Sequence, residues 1–330
     1  AQAILAQAAS ARATLRAGVP SMRRSLGRLC DASLRAQWRH YADLCGQWRG
    51  RWYRYSVDST GALVLGQSFR AVCHPELASD GQTVRHVNRY EPAAQLQGPA
   101  SNVQLVNGLR EVDFGVFDAS NFQKPFGPHS AAIYSEGAAV LATASLASSP
   151  GPVCVEFILL TASDGERRQR RRVVAVWAPK QVRCCPDATG AVGEDDGGLS
   201  ARLTGVTVVV EEEGGTECGP AGAEIPEVLV AAEQGGRSVD GAPSKWHPGE
   251  RVVTARGGIS REAIAHAPSP PDVHALPGGL VSWLPVELQL RSRGSLEMAV
   301  ACRRAAGDYV RLAARYAHGE LECSTRDILT

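Results

Sequence analysis

The sequence lacks the features that are typical of membrane-spanning proteins and of nucleic-acid-binding proteins. Its longest apolar stretch, residues 131–146, is mostly alanine and is interrupted by polar residues, whereas a membrane-spanning helix needs about 20 consecutive apolar residues. The net charge is only +1, which predicts no general attraction to nucleic acids. Lysine is also scarce: only three of the 35 basic residues are lysines, which we interpret as coding bias and not as a functional signal.

The cysteines do not form a recognisable disulfide or redox pattern. There are nine of them, an odd number, and none belongs to a C-x-x-C pair. Cys184 and Cys185 are adjacent, and a disulfide between neighbouring residues is strained. These features argue against a secreted disulfide framework and favour a reducing compartment.

The motifs of common catalytic sites are missing as well. There is no Walker loop, no G-x-G-x-x-G, no H-E-x-x-H and no G-x-S-x-G, and none of the eight histidines stands at a zinc-ligand spacing. Cys73 and His74 are neighbours, but adjacent residues of a strand point to opposite faces, so we do not expect a nucleophile and base here. We therefore predict a protein that is not an enzyme and that requires no cofactor or metal.

The first 30 residues form a basic arm without a single acidic residue, because the first acid is Asp31. The arm is rich in alanine and contains five arginines, Arg12, Arg16, Arg23, Arg24 and Arg28. This composition is typical of an organelle transit peptide. The alternative is a basic amphipathic helix that docks on the fold or on a partner, and the five arginines would then make the partner contact.

The rest of the chain predicts one helix followed by many short strands. Residues 31–48 carry apolar residues at helical spacing, and Gly46 is expected to end the helix. Short alternating runs separated by turn residues follow, and a cluster of Gly, Asp and Pro indicates a linker at 183–200. The predicted organisation is an arm, a first barrel with its leading helix, the linker and a second barrel, at residues 1–30, 31–182, 183–200 and 201–330.

The two predicted halves end in similar hairpins. Residues 155–159 and 296–300 are apolar strands with Glu in second place. After a polar turn, an arginine-flanked apolar strand ends on an aromatic residue, at 170–177 and at 309–316. This similarity favours one barrel-closing hairpin that is used twice. The arginine-rich run 167–172 is expected to be a solvated turn, with a partner contact as the alternative.

The densest aromatic segment begins with Gly46-x-Trp48, at the start of the first predicted strand. This arrangement resembles the first strand of lipocalin-type barrels. In such barrels the tryptophan closes one end, and an arginine from a late strand lies across its ring as a cation–π partner. The resemblance makes Trp48 the structural plug and Arg172 its partner.

A wider pattern extends this resemblance over roughly residues 38–330. Its motifs are Trp48-Arg-Gly50-x-Trp52-x-Arg54-Tyr55, Ser68-Phe69-Arg70, His86-Val-Asn88-Arg-Tyr90, Leu276-Pro277-Gly278-Gly279 and Leu296-Glu297. Together they resemble an uncharacterised calycin (lipocalin-like) family of cyanobacteria and plastids, distantly similar to the S- and T-type phycobiliprotein lyases, which hold linear tetrapyrroles. The resemblance implies a mostly β protein with a short N-terminal helix and two antiparallel calycin barrels in tandem. Candidate ligand-binding residues are Trp52, Tyr55, Arg70, Asn88 and Tyr90.

Two functions remain open from the sequence. The arm, the resemblance and the missing catalytic motifs favour a chloroplast protein, stromal or thylakoid-associated, that is a subunit or assembly factor of a larger photosynthetic complex. Its expected partners are the protein subunits of such a complex, with a membrane surface as a further candidate, and not nucleic acid. The alternative is a carrier or lyase for a tetrapyrrole, a carotenoid or another apolar ligand held in a barrel. An open apolar cavity with Arg70 or Asn88 facing inward would favour the carrier.

Overall fold

A computed structural model shows a mostly β protein with one helix in its described part. The structure describes residues 29–92, 103–106, 108–148, 151–161, 168–180, 200–214, 250–255, 258–263, 273–291, 294–303 and 309–329. The arginines of the basic arm and residues 183–199 of the predicted linker lie outside these ranges. Within them, no helix has both the length and the apolar character that crossing a membrane requires.

The helix, α1, spans Leu29–Asp43 and leads directly into the first strand. The chain turns at Gly46, whose φ of 141° is a value that favours glycine. The Gly46 N–H donates to the carbonyl oxygen of Pro75 at 2.9 Å, which ties the turn to the sheet. The helix predicted within residues 31–48 is therefore present, and it ends at Asp43, before the Gly46 that was expected to stop it.

The first sheet is antiparallel and contains most of the strands. Its members are β1 (Trp48–Val57), β2 (Leu63–Leu77), β3 (Thr83–Tyr90), β4 (Val103–Val106), β5 (Leu109–Asp118), β6 (Ser130–Ser135), β7 (Ala138–Thr143), β8 (Val153–Thr161), β9 (Gln169–Pro179), β10 (Ser200–Glu213) and β15 (Glu287–Gln289). The strand order is β4-β5-β3-β2-β1-β10-β9-β8-β7-β6, and β15 pairs with β10 outside this path. Strand β1 thus pairs with β10, the last strand of this order in the chain.

The second sheet is also antiparallel and repeats much of this order. Its members are β11 (Glu250–Ala255), β12 (Gly258–Ala263), β13 (Val273–Leu276), β14 (Leu280–Trp283), β16 (Ser295–Arg303), β17 (Tyr309–Ala317) and β18 (Glu320–Leu329). The strand order is β12-β11-β18-β17-β16-β14-β13. Counted in chain order, this is the same sequence of neighbours as β2-β1-β10-β9-β8-β7-β6 of the first sheet.

Two details of the predicted organisation differ from the structure. Among the described residues, no pairing joins β4 to β6, so the first sheet is not closed into a barrel, and the second sheet has β12 and β13 as separate edges. Strand β10 also belongs to the first sheet, where it pairs with β1 and β9. The first sheet therefore extends to Glu213, past the boundary predicted at residue 200, because β1 has β10 as its neighbour.

The two sheets share one hydrophobic core. Alternate residues of β8, namely Val153, Val155, Phe157 and Leu159, pack in the same cluster as residues of β16 and β17 from the second sheet. Backbone contacts also join the sheets: the Leu146 N–H donates to the carbonyl oxygen of Gly319 at 2.8 Å. The structure is thus one packed body with two sheets, and not two lobes with separate cores.

The other face of the first sheet, which we call the helix face, is covered in part by α1. Tyr41 of the helix and Leu44, just after its end, pack with Phe117, Tyr134 and Ile158 of the sheet. The helix also packs beside β6, which is an edge strand of the sheet. The helix therefore covers part of this face, and the candidate site lies between the helix and the sheet.

Candidate functional site

A partly enclosed cavity lies between the helix face and α1. Its empty volume, including the mouth that is open to solvent, is about 680 Å³. The apolar and aromatic part of its wall consists of Tyr41, Leu44, Pro75, Phe114, Phe117, Pro125, Phe126, Tyr134, Leu141 and Ile158. The polar part consists of Cys73, His86, Asn88, Glu156, Arg170 and Arg172. Such a combination of apolar walls and few converging polar groups is typical of small-molecule sites.

Arg170 connects this cavity to Trp48, the predicted plug residue. Its guanidinium carbon lies 4.5 Å from the centre of the Trp48 ring, and its Nε donates to Glu211 Oε2 at 2.7 Å. Strand register brings these groups together, because Arg170 is directly opposite Glu211, and Glu211 is directly opposite Gly50. Trp48 is 0% exposed, and its indole Nε1 donates to the carbonyl oxygen of Leu44 at 2.9 Å.

Arg172 lies one step further along the same face of β9. Its Nε donates to Glu156 Oε1 at 2.7 Å, its Nη1 lies 3.6 Å from Cys73 Sγ, and its guanidinium carbon lies 5.1 Å from the Trp52 ring centre. The predicted pairing of Arg172 with Trp48 is therefore wrong. Arg170 stacks on Trp48, together with Arg168 at 5.4 Å, because the register places both nearer to the start of β1.

A short polar chain runs from Cys73 along β3. His86 Nε2 lies 3.3 Å from Cys73 Sγ and 3.0 Å from Asn88 Oδ1, and Asn88 Nδ2 donates to the Tyr90 hydroxyl at 2.9 Å. Burial lowers the pKa of His86 to about 4, and the nearby Arg172 adds to this effect. His86 is therefore neutral at pH 7. Burial also raises the pKa of the Cys73 thiol, against the opposing effect of the arginines.

This arrangement does not form a nucleophilic relay. In such a relay the nucleophile and the orienting group bind different nitrogens of the histidine, whereas Cys73 and Asn88 both approach His86 Nε2. The raised pKa of Cys73 also disfavours the reactive thiolate. Among the described residues, no group of three or more His, Cys, Asp or Glu side chains could hold a metal ion.

The aromatic side of the cavity is built by the helix and the strands together. Tyr41 stacks on Phe122 with ring centres 5.8 Å apart, and Phe122 stacks on Tyr134 at 5.4 Å. The Tyr134 hydroxyl donates to the carbonyl oxygen of Phe122, which fixes this ring. His86 lies 5.0 Å from the ring centre of Phe114. Flat rings held in fixed orientations can bind a flat ligand by stacking.

The predicted ligand-binding residues are only partly brought together. Asn88 lines the cavity, and Tyr90 and Trp52 pack behind it. Tyr55 points into the core shared by the two sheets. Arg70 is partly exposed and pairs with Glu91 at 3.3 Å. Neither Tyr55 nor Arg70 therefore lies at the cavity.

Sequence reasoning expected Arg172 to lie against a buried tryptophan, but it missed the burial of Arg170. The run 167–172 was expected to be a solvated turn, but Arg170 and Arg172 are 3% and 6% exposed. Alternation within the run could have indicated this, because Arg170 and Arg172 share one face of β9 while Val173 and Ala175 point to the other. The contact of Cys73 with His86 depends on the β2–β3 register, which the sequence does not state.

Comparison with known proteins defines what this chain is similar to. Residues 34–182 match the family model described as "Domain of unknown function (DUF3598), N-terminal". This match covers somewhat less than half of the chain. A solved structure of a DUF3598 protein with unknown function, from the cyanobacterium Nostoc punctiforme, has 16% sequence identity and a TM-score of 0.52. The alignment covers 89% of this chain and 98% of that one, so the likeness in fold extends over most of the chain. No curated protein matches the chain.

The second sheet repeats the arginine arrangement of the first sheet. Arg311 is directly opposite Asp327 on the next strand, as Arg170 is opposite Glu211, and Nη1 of Arg311 donates to Asp327 Oδ2 at 3.0 Å. Arg311 also stacks on a tryptophan, Trp283, at 5.6 Å. By register, Arg311 therefore corresponds to Arg170. The sequence pattern had instead aligned it with Arg172.

Proposed function

We propose that the protein binds a small, largely apolar molecule in the cavity beneath α1, and that it acts as a carrier. The observation that carries this proposal is the partly enclosed cavity with aromatic walls and with Asn88 facing inward. Burial of the ligand against Tyr41, Phe117 and Tyr134 would supply most of the binding free energy.

The class of ligand follows from the shape and chemistry of the wall. Aromatic rings favour a flat, conjugated molecule, which is consistent with the tetrapyrrole that the calycin resemblance implies. A lyase activity has less support, because the cavity provides no activated nucleophile. The calycin relationship itself remains a proposal, supported by the strand order in which the first strand neighbours the last.

The role in a photosynthetic assembly remains a separate prediction. It depends on the basic arm and on plastid import, and the arm lies outside the described residues. Neither the cavity nor the shared core bears on it. Gradient fractionation of plastid membranes would test it, because a subunit would migrate with a large complex and a carrier would not.

Titration with the uncharged fluorophore N-phenylnaphthylamine tests the carrier proposal. The wild-type protein should bind about one equivalent, and Leu141→Trp should weaken binding at least about tenfold, because the larger ring occupies the cavity. Leu105→Trp is the matched control, since Leu105 is 75% exposed and does not line the cavity. Unchanged binding by a folded Leu141→Trp variant, or no binding by the wild-type protein, would contradict the proposal.

A further inference from the structure

The charges of the cavity wall balance one another. Arg172 is paired with Glu156, and Arg170 is paired with the fully buried Glu211. His86 is neutral at pH 7, since burial lowers its pKa to about 4. An ion that entered the cavity would lose hydration and would find no unpaired charge of opposite sign on this wall, which is unfavourable. The balance of charges therefore favours an uncharged ligand.

The hydrogen bonds around His86 fix which of its ring nitrogens carries the proton. Asn88 Nδ2 donates to the Tyr90 hydroxyl at 2.9 Å, and the oxygen of the same amide, Oδ1, lies 3.0 Å from His86 Nε2. An amide oxygen can only accept a hydrogen bond, so Nε2 must carry a proton and donate. A neutral imidazole has one ring proton, and Nδ1 therefore has none. Nδ1 is a hydrogen-bond acceptor.

Nδ1 of His86 has no donor within the described part of the chain. The hydrogen-bonding contacts of His86 there are made through Nε2, with Cys73 and Asn88. Nδ1 does not belong to the buried polar atoms that lack a partner, so it remains accessible. His86 lines the cavity and is half-buried, and the ring centre of Phe114, on the same wall, lies 5.0 Å from that of His86. An accessible acceptor thus stands where the polar and the aromatic parts of the wall meet.

We infer that the ligand of this cavity is an uncharged aromatic molecule with an N–H or O–H group, and that this group donates a hydrogen bond to Nδ1 of His86. This inference rests on the proposed function, because it names the chemistry of the molecule that the cavity holds. The flat body contacts the aromatic wall. Nδ1 selects for a donor, because a ligand without one would displace water from Nδ1 and leave the acceptor unpaired.

Two flat, uncharged probes that differ in one hydrogen-bond donor test this inference. Carbazole has a single N–H group, and N-methylcarbazole carries a methyl group in place of that hydrogen. The quantity to measure, by fluorescence titration, is the ratio of their dissociation constants. The wild-type protein should bind carbazole about fivefold more tightly, which is the effect of one neutral hydrogen bond. His86→Phe keeps a ring without an acceptor. It should weaken binding of carbazole about fivefold and binding of N-methylcarbazole less than about twofold.

His74→Phe is the matched control, because it makes the same substitution at a histidine that does not line the cavity. It should leave the ratio of dissociation constants unchanged. Since His86→Phe leaves Asn88 Oδ1 without its donor, circular dichroism verifies the folding of each variant. If His86→Phe does not fold, the nitrogen NMR resonance of His86 Nδ1 in the wild-type protein replaces it. Carbazole should shift this resonance toward that of a hydrogen-bonded nitrogen, and N-methylcarbazole should not.

The outcomes distinguish the two proposals. If N-phenylnaphthylamine and both carbazoles fail to bind to the wild-type protein, the proposed function is wrong, and this inference with it. If the probes bind but the ratio of dissociation constants changes by less than about twofold in folded His86→Phe, only the assignment of a donor ligand is wrong. An equal change of the ratio in His74→Phe, or equal shifts of the Nδ1 resonance with both carbazoles, would also overturn that assignment.

Discussion

The hydroxyl of Tyr316, on the second sheet, donates a hydrogen bond of 2.9 Å to the carbonyl oxygen of Thr143, on the first. Tyr316 is 1% exposed, so this bond lies inside the core that the two sheets share. Trp177 makes the reciprocal connection, since its Nε1 donates to the carbonyl oxygen of Pro285 at 2.7 Å. Two halves joined in this way should unfold together.

We therefore expect a single cooperative unfolding transition, and Tyr316→Phe should lower the free energy of unfolding by about 1–3 kcal/mol, because a buried carbonyl loses its donor. Urea unfolding followed by both tryptophan fluorescence and far-ultraviolet circular dichroism would measure this. Coincident curves are the expected result. Two separate transitions would mean that the sheets are independent units.

Truncation of the plug residue should be among the most costly changes. Trp48→Ala removes a fully buried indole, its hydrogen bond to Leu44 and its stacking with Arg170. The expected loss is about 3–5 kcal/mol in the free energy of unfolding. Leu105→Ala, at a residue that is 75% exposed, should change it by less than about 0.5 kcal/mol. Similar urea midpoints for the two variants would be inconsistent with a plug.

The buried pair of Arg172 and Glu156 should depend on both partners. Arg172→Met leaves the carboxylate of Glu156 buried and unpaired, which should cost about 3–5 kcal/mol. The double variant Arg172→Met/Glu156→Leu should recover most of this loss, because no uncompensated charge remains. Chemical unfolding of the two single variants and the double variant completes the cycle. If the loss of stability in the double variant equals the sum of the losses in the two single variants, the two residues do not stabilise the protein as a pair.

Gly50 should not tolerate a side chain. A Cβ atom at this position would lie 1.9 Å from the carbonyl oxygen of Val210, so β1 and β10 would have to move apart. Gly50→Ala should destabilise the protein by about 3 kcal/mol or more. Gly66→Ala is the control, because its Cβ would meet nothing closer than 3.7 Å. A thermal melting temperature of Gly50→Ala close to that of the control would show that the two strands can separate there.

Neutral His86 should make the protein sensitive to mild acid. Its pKa is about 4 in the folded protein and near 6.5 when exposed, so between these values the unfolded chain binds the proton first. Stability should therefore fall by about 3 kcal/mol as the pH drops through this window. His86→Gln should flatten the dependence of the free energy of unfolding on pH there. The same slope in the variant would assign the effect to other groups.

The sequence by itself determined the class of the fold and several of its anchors. Alternating apolar runs are sufficient to predict strands, because each strand must bury one face. The helix before Gly46, the burial of Trp48 and the similarity of the two hairpins were all readable in this way. Each depends on residues that are close along the chain, where sequence spacing and spatial proximity correspond.

Only the tertiary structure decided which residues meet. Arg170, and not Arg172, stacks on Trp48 because the register of β9, β10 and β1 places it there. The sheet reaches Glu213 because β1 requires β10 as its neighbour. Cys73 meets His86 across two strands in the same way. A shift in register changes every cross-strand contact while the local pattern stays the same, so strand pairing, and with it the cavity, is a property of the assembled sheets.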